Sequence, residues 1–254
     1  MQRFVVYSVG WWFVMASGWA MAQDAAAILP ERITDKLQVE AQKLAPLVQS
    51  EIAIEFLAVT KNLLEPEPRV VYRNRDRTRA ISSQEFSKRS ESDQVGWIRR
   101  DCIPAFYYET GYGSPLVYAR VLDLVAPHWE VALPRKVLDF GYGSIGQLQL
   151  LAHQGFEAHG VDVEPMLGAL YSEPSDTGAM GRGSVAIHTG QWPAHAELSS
   201  AVGGGFGLIT SKNTLKAGYI HPNPPAGQTV DPKRLVHLGV RDDAFLQHVH
   251  SSLV

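Results

Sequence analysis

The stretch Val137-Leu138-Asp139-Phe140-Gly141-Tyr142-Gly143-Ser144-Ile145-Gly146 constrains this chain more than any other. Residues 136–140 read as a buried strand, and the glycines behind them spell G-x-G-x-x-G. That turn passes a strand directly into a helix and lets backbone approach a ligand closely. Residues 144–155 then carry helical apolar spacing that Gly155 closes. A second strand is expected over 157–163, a weaker helix from Pro165, a third strand over 184–190 and a fourth over 206–211. Strands alternating with helices predict βαβ units, an α/β class and a parallel sheet of about four strands.

The chain ahead of residue 136 has a different texture. Ile33, Leu37, Ala41, Leu44, Val48, Ile52, Phe56 and Val59 recur at helical spacing, with Pro46 as a break and Pro66 and Pro68 as a stop. Residues 69–100 read as irregular, with short helices and loops. Residues 107–115 are a glycine- and tyrosine-rich loop leading into a helix over 115–129. Residues 23–135 are thus expected to form a helical N-terminal extension ahead of a domain over 136–254. Before it, Arg3, an apolar run from Phe4 to Met15 and Ala20-Met21-Ala22 have the pattern of a signal peptide over 1–22. That reading implies a periplasmic or secreted chain with no stable membrane anchor after cleavage. The one cysteine, Cys102, cannot form an intramolecular disulfide and reads as a buried structural thiol.

The 254 residues, 45% hydrophobic and 19% charged, suffice for a sizeable core. A net charge of -3 gives no global attraction for nucleic acid or an anionic membrane. The arginine-rich run from Arg73 to Arg79 is interrupted by Asp76 and reads as a solvated face. The nine histidines are scattered, so no metal site is expected.

Asp139 bears on what the glycine loop holds. Both nicotinamide enzymes and methyltransferases place an acid at the end of the second strand to bind ribose, and Asp162 fits either. A carboxylate beside the loop repels a pyrophosphate but favours a ligand bearing an ammonium and a sulfonium. "VLDFGYGSIG" and "GVDVEPML" (residues 160–167) together resemble the class I S-adenosylmethionine-dependent methyltransferases. The resemblance spans residues 107–254 and implies a Rossmann-like domain using S-adenosyl-L-methionine. It assigns Asp139, Gly141, Gly143 and Gly146 to the cofactor loop and Asp162 to the ribose. Gln191 and Trp192 stand where the family often has an acid near adenine.

By the same resemblance, Ser211, Lys212, Asn213 and Tyr219 are candidates to line the pocket of a small-molecule or otherwise unidentified acceptor, and His221 is the candidate proton acceptor. Tyr107, Tyr108 and Tyr112 are candidates to fold over the cofactor. Residues 241–254 read as an amphipathic helix with no fifth strand after it, as in a family member shortened at that point. Two other readings stay open: a degenerate protein that binds cofactor without turnover, and an NAD(P)-dependent oxidoreductase. Export also conflicts with a cofactor made in the cytosol.

Overall fold

The computed structural model describes residues 32–109, 113–129 and 133–211. The signal-peptide reading, Tyr112, Lys212, Asn213, Tyr219, His221 and the helix expected over 241–254 all lie outside them.

The N-terminal helical pattern forms and breaks where proline dictates. Helix α1 (Ile33–Leu44) ends in a 3-10 turn containing Pro46, and α2 (Glu51–Ala58) resumes the apolar stripe. Residues 69–102 depart from expectation. They hold a three-stranded antiparallel sheet in the order β2-β1-β3, from β1 (Arg69–Arg73), β2 (Ala80–Ser82) and β3 (Ile98–Cys102). Two short helices, α3 (Ser83–Ser87) and α4 (Glu91–Gln94), connect β2 to β3. The expected helical extension is therefore mixed α and β. Helices α5 (Pro104–Tyr108) and α6 (Tyr118–Val125) follow, the second flanked by 3-10 turns inside the expected helix over 115–129.

The strands read from sequence pair as a parallel set. They are β4 (Lys136–Phe140), β5 (Glu157–Asp162), β7 (Gly183–Thr189) and β8 (Leu208–Thr210). A fifth strand, β6 (Gly178–Met180), adds antiparallel to β7, so among the described residues the sheet is mixed and has one strand more than expected. Its order is β6-β7-β5-β4-β8. The chain therefore builds outward from β4 to β5 and β7, then returns past both to place β8 on the other side of β4.

Alternate residues of a strand face opposite sides of a sheet, and two cores form accordingly. Val137, Ala158 and Val185 face a large core shared with α7 (Gly146–His153) and α8 (Pro165–Leu170). Leu37 of α1, Phe56 of α2, Val71 of β1, Tyr108 of α5 and Leu122 of α6 belong to this same core. Leu138, Phe140 and Val161 face a smaller core closed by Trp192 and by Val202 of α9 (Ala196–Val202). Cys102 is buried in the larger core, and burial raises its thiol pKa, as a structural cysteine requires.

One glycine sets the spacing between β5 and the helix above it. A Cβ on Gly160 would lie 2.6 Å from Leu148 Cδ1 and 2.7 Å from Tyr142 Cδ1. Both side chains are buried, so neither has room to retreat. Gly160→Ala is expected to cost about 1–3 kcal/mol by overpacking, read as a lower urea midpoint at unchanged denaturant slope.

Candidate functional site

The site begins with the turn after β4. Gly141 at φ 76° and Gly143 at φ 63° occupy the left-handed region, which a side chain would disfavour. Gly141 N donates to Val161 O at 2.7 Å, so the turn starts pressed against the end of β5. Asp162, the last residue of β5, holds the next part. Its carboxylate accepts from Gly143 N at 3.1 Å and from Glu164 N at 3.0 Å. Burial raises the Asp162 pKa, and these backbone donors partly offset the shift. Gly141, Gly143 and Asp162 are therefore brought together at the carboxyl ends of β4 and β5, as the sequence pattern expects.

Asp139 has a different surrounding from the one its sequence position suggested. It is fully buried, at 0% exposure. Its carboxylate accepts from Tyr118 Oη at 2.7 and 2.8 Å and from Gln147 Nε2 at 2.9 Å, and Thr210 Oγ1 lies 3.1 Å away. Gln147 Nε2 also donates to Tyr142 O at 2.7 Å, inside the glycine turn. Asp139 thus reaches the loop through Gln147. Burial, then the nearby carboxylate, push the Tyr118 phenol pKa far up, so Tyr118 remains a donor to Asp139.

The other expected cofactor residues divide. A Cβ on Gly146 would meet Pro115 and Tyr108 at 3.1 Å, so the space it leaves is filled by packing at the start of α7. Trp192 is a core aromatic against Phe140, their centroids 5.9 Å apart, and closes the smaller core. Gln191 is exposed beside it. Tyr107 and Tyr108 are also core residues: Tyr107 Oη donates to Asp176 Oδ1 at 2.5 Å and Tyr108 Oη to Leu64 O at 2.6 Å. Ser211, just past β8, carries a buried Oγ with no hydrogen-bond partner among the described residues. Tyr142 Oη is buried and unpartnered in the same sense.

Sequence reading missed Tyr118, Gln147 and Thr210. Gln147 directly follows the last glycine of the fingerprint, and its polarity among apolar helix residues was the available signal. Nothing local marks Thr210, which meets Asp139 because β8 pairs with β4 at the register Asp139↔Thr210.

A cleft of about 980 Å³ lies elsewhere, between residues 62–72, the loop 172–175 and the outer part of α7 at Gln149 and His153. It does not include the glycine turn. The cleft has none of the backbone geometry that sequence and topology bring together at the turn, and the turn is the candidate site.

No protein-family model, curated protein or solved structure matches this chain.

Tyr118→Phe removes a hydrogen bond to a buried carboxylate while conserving shape. It is expected to cost about 1.5–3 kcal/mol, measurable by urea denaturation. A change under a few tenths of a kcal/mol would mean that this bond contributes little to holding Asp139.

Proposed function

We propose that this chain is a Rossmann-like, S-adenosylmethionine-dependent methyltransferase acting on an O or N nucleophile of a small acceptor. The observation carrying this reading is the strand order β7-β5-β4-β8 with the glycine turn at the end of β4. Numbered along the chain, the parallel strands stand in the order 3-2-1-4, as in doubly wound nucleotide-binding sheets. The reversal falls between β4 and β8, and open α/β sheets bind ligands at such a point, outside the carboxyl ends of the strands. Asp139, Gly141, Asp162 and Ser211 all lie around it.

The residues present fit the nucleoside half of the cofactor. The two left-handed glycines allow close backbone approach, and the position of Asp162 at the end of β5 supports a role for it in accepting from ribose hydroxyls. Asp139 organises the loop through Gln147. When bound, the cofactor supplies a methyl group already activated by its sulfonium. The chain's own task is then to orient the acceptor and exclude water. Ser211, whose buried hydroxyl has no partner among the described residues, is the described candidate for contact with the acceptor.

A second reading is a cofactor-binding protein without turnover. It is favoured by the complete burial of Asp139, which leaves that carboxylate unavailable to a ligand. Binding without conversion of S-adenosylmethionine to S-adenosylhomocysteine, across a panel of O and N acceptors, would support it.

Calorimetric titration with S-adenosylhomocysteine, with NAD alongside, tests the main reading. Binding of the first ligand alone is expected, weakened about ten- to hundredfold in Asp162→Ala. Binding of NAD instead would favour the oxidoreductase, and no binding by the folded protein would sink the proposal. The affinity also carries a pH signature. Because the Asp162 pKa is raised, its carboxylate takes up a proton at a higher pH than an ordinary aspartate. Affinity should therefore be full above that pKa and fall as pH drops through it, and Asp162→Asn should remove this dependence.

A further inference from the structure

One end of the small antiparallel sheet gathers cations around exposed apolar side chains. β1 ends at Arg73, β2 begins at Ala80 opposite it, and β3 begins at Ile98 opposite the same residue. The hairpin tip 74–79 and the loop 95–97 therefore lie at one end of the sheet. The tip has a fixed shape: Arg77 N donates to Asn74 O at 3.1 Å, Asn74 N to Arg79 O at 3.1 Å, and Arg79 N to Asn74 Oδ1 at 2.8 Å. Arg75, Arg77 and Arg79 are displayed from it in water.

Trp97 stands at the centre of the group. The guanidinium carbons of Arg79 and Arg89 lie 5.8 and 5.1 Å from its ring centroid. Beside it, Val95 is 81% and Ile98 50% exposed. Lys88 and Arg89 precede this apolar loop, and Arg99 and Arg100 follow it. Arg99 pairs with Asp101 at 2.6 Å. Asp76, the acid within the hairpin tip, accepts from Thr78 Oγ1 at 2.9 Å. Glu91 and Asp93 on α4 are the acids nearest in sequence to the loop, and Asp93 accepts from Ser90 Oγ at 2.6 Å. Arg75, Arg77, Arg79, Arg89 and Arg100 make no ion pair within 4.0 Å among the described residues.

Charge alone would describe a solvated face or a nucleic-acid surface. The exposed valine and isoleucine decide between partners. A polynucleotide would use the arginines and the indole but leave Val95 and Ile98 in water. At a bilayer surface an indole lies at headgroup depth, small apolar side chains enter just below it, and arginines stay level with the phosphates.

We propose that this end of the small sheet is a peripheral docking surface for an anionic phospholipid bilayer. Val95, Trp97 and Ile98 enter the headgroup boundary, and Arg75, Arg77 and Arg89 meet lipid phosphates. The proposal does not depend on the methyl-transfer reading.

The test places an environment-sensitive fluorophore on Val95→Cys in the full chain. Cys102 is buried, so the introduced thiol is the accessible one. The probe reports the surroundings of residue 95 itself. A blue shift is expected with phosphatidylcholine–phosphatidylglycerol vesicles and not with phosphatidylcholine alone. Adding Arg75→Gln and Arg77→Gln should weaken the response about thirtyfold, from two lost surface cations. No shift on anionic vesicles, or an equal shift on neutral ones, would overturn the proposal. So would a shift with an oligonucleotide and none with vesicles, which would assign the surface to nucleic acid.

Discussion

A carboxylate removed from water is tolerable only where donors meet its oxygens, and Asp139 imposes that condition on the centre of this structure. Its donors come from distant parts of the chain: Tyr118 on α6, Gln147 on α7 and Thr210 on β8. Each must be in place for the others to matter, because a partly satisfied buried network costs more than an apolar core. Gln147 then carries this order into the glycine turn through Tyr142 O. The turn's conformation is held by the fold itself.

The same interdependence joins the N-terminal segment to the parallel sheet. Arg69 of β1 forms a bidentate pair with Asp176, at 2.5 and 2.9 Å, while Tyr107 and the backbone N of Glu173 supply further donors to that carboxylate. Arg73, at the other end of β1, reaches Glu164, two residues beyond Asp162. Helices α1 and α2 share their core with α7. The small sheet and the helices before it therefore wall the sheet that carries the candidate site, and the described residues ahead of β4 are part of that architecture.

Sequence made the parallel strands legible because each short segment is bounded by turn residues and alternates with a helical pattern. The small sheet was illegible for a physical reason. β3, with Ile98, Arg99, Arg100 and Asp101 all exposed, lies at a sheet edge and shows no alternation of apolar and polar residues. β6 is three small or flexible residues pairing with a neighbour, and its pattern is equally silent. At the site, the glycines were visible because the turn demands them locally, and the two aspartates because of where they stand relative to that turn and to the end of the second strand. The partners of Asp139 were not, because strand register and helix orientation, not local sequence, decide who meets a buried carboxylate. Gln149 and Gln154 repeat the lesson: both are buried, with Nε2 donating to Asp176 O at 3.1 Å and to Ile52 O at 2.6 Å.

The sheet order also has a temporal side. β4 is an interior strand of the described sheet, yet the neighbour on one of its two edges is β8, whose residues 208–210 are made last among the described strands. On the ribosome, β4, β5 and β7 can assemble in the order they emerge, leaving that edge of β4 bare. Thr210 is likewise missing from around Asp139 until then. The most buried carboxylate of the site thus acquires its full surroundings only once β8 has been made, and a nascent chain halted near Val202 would present an open strand edge to its neighbours.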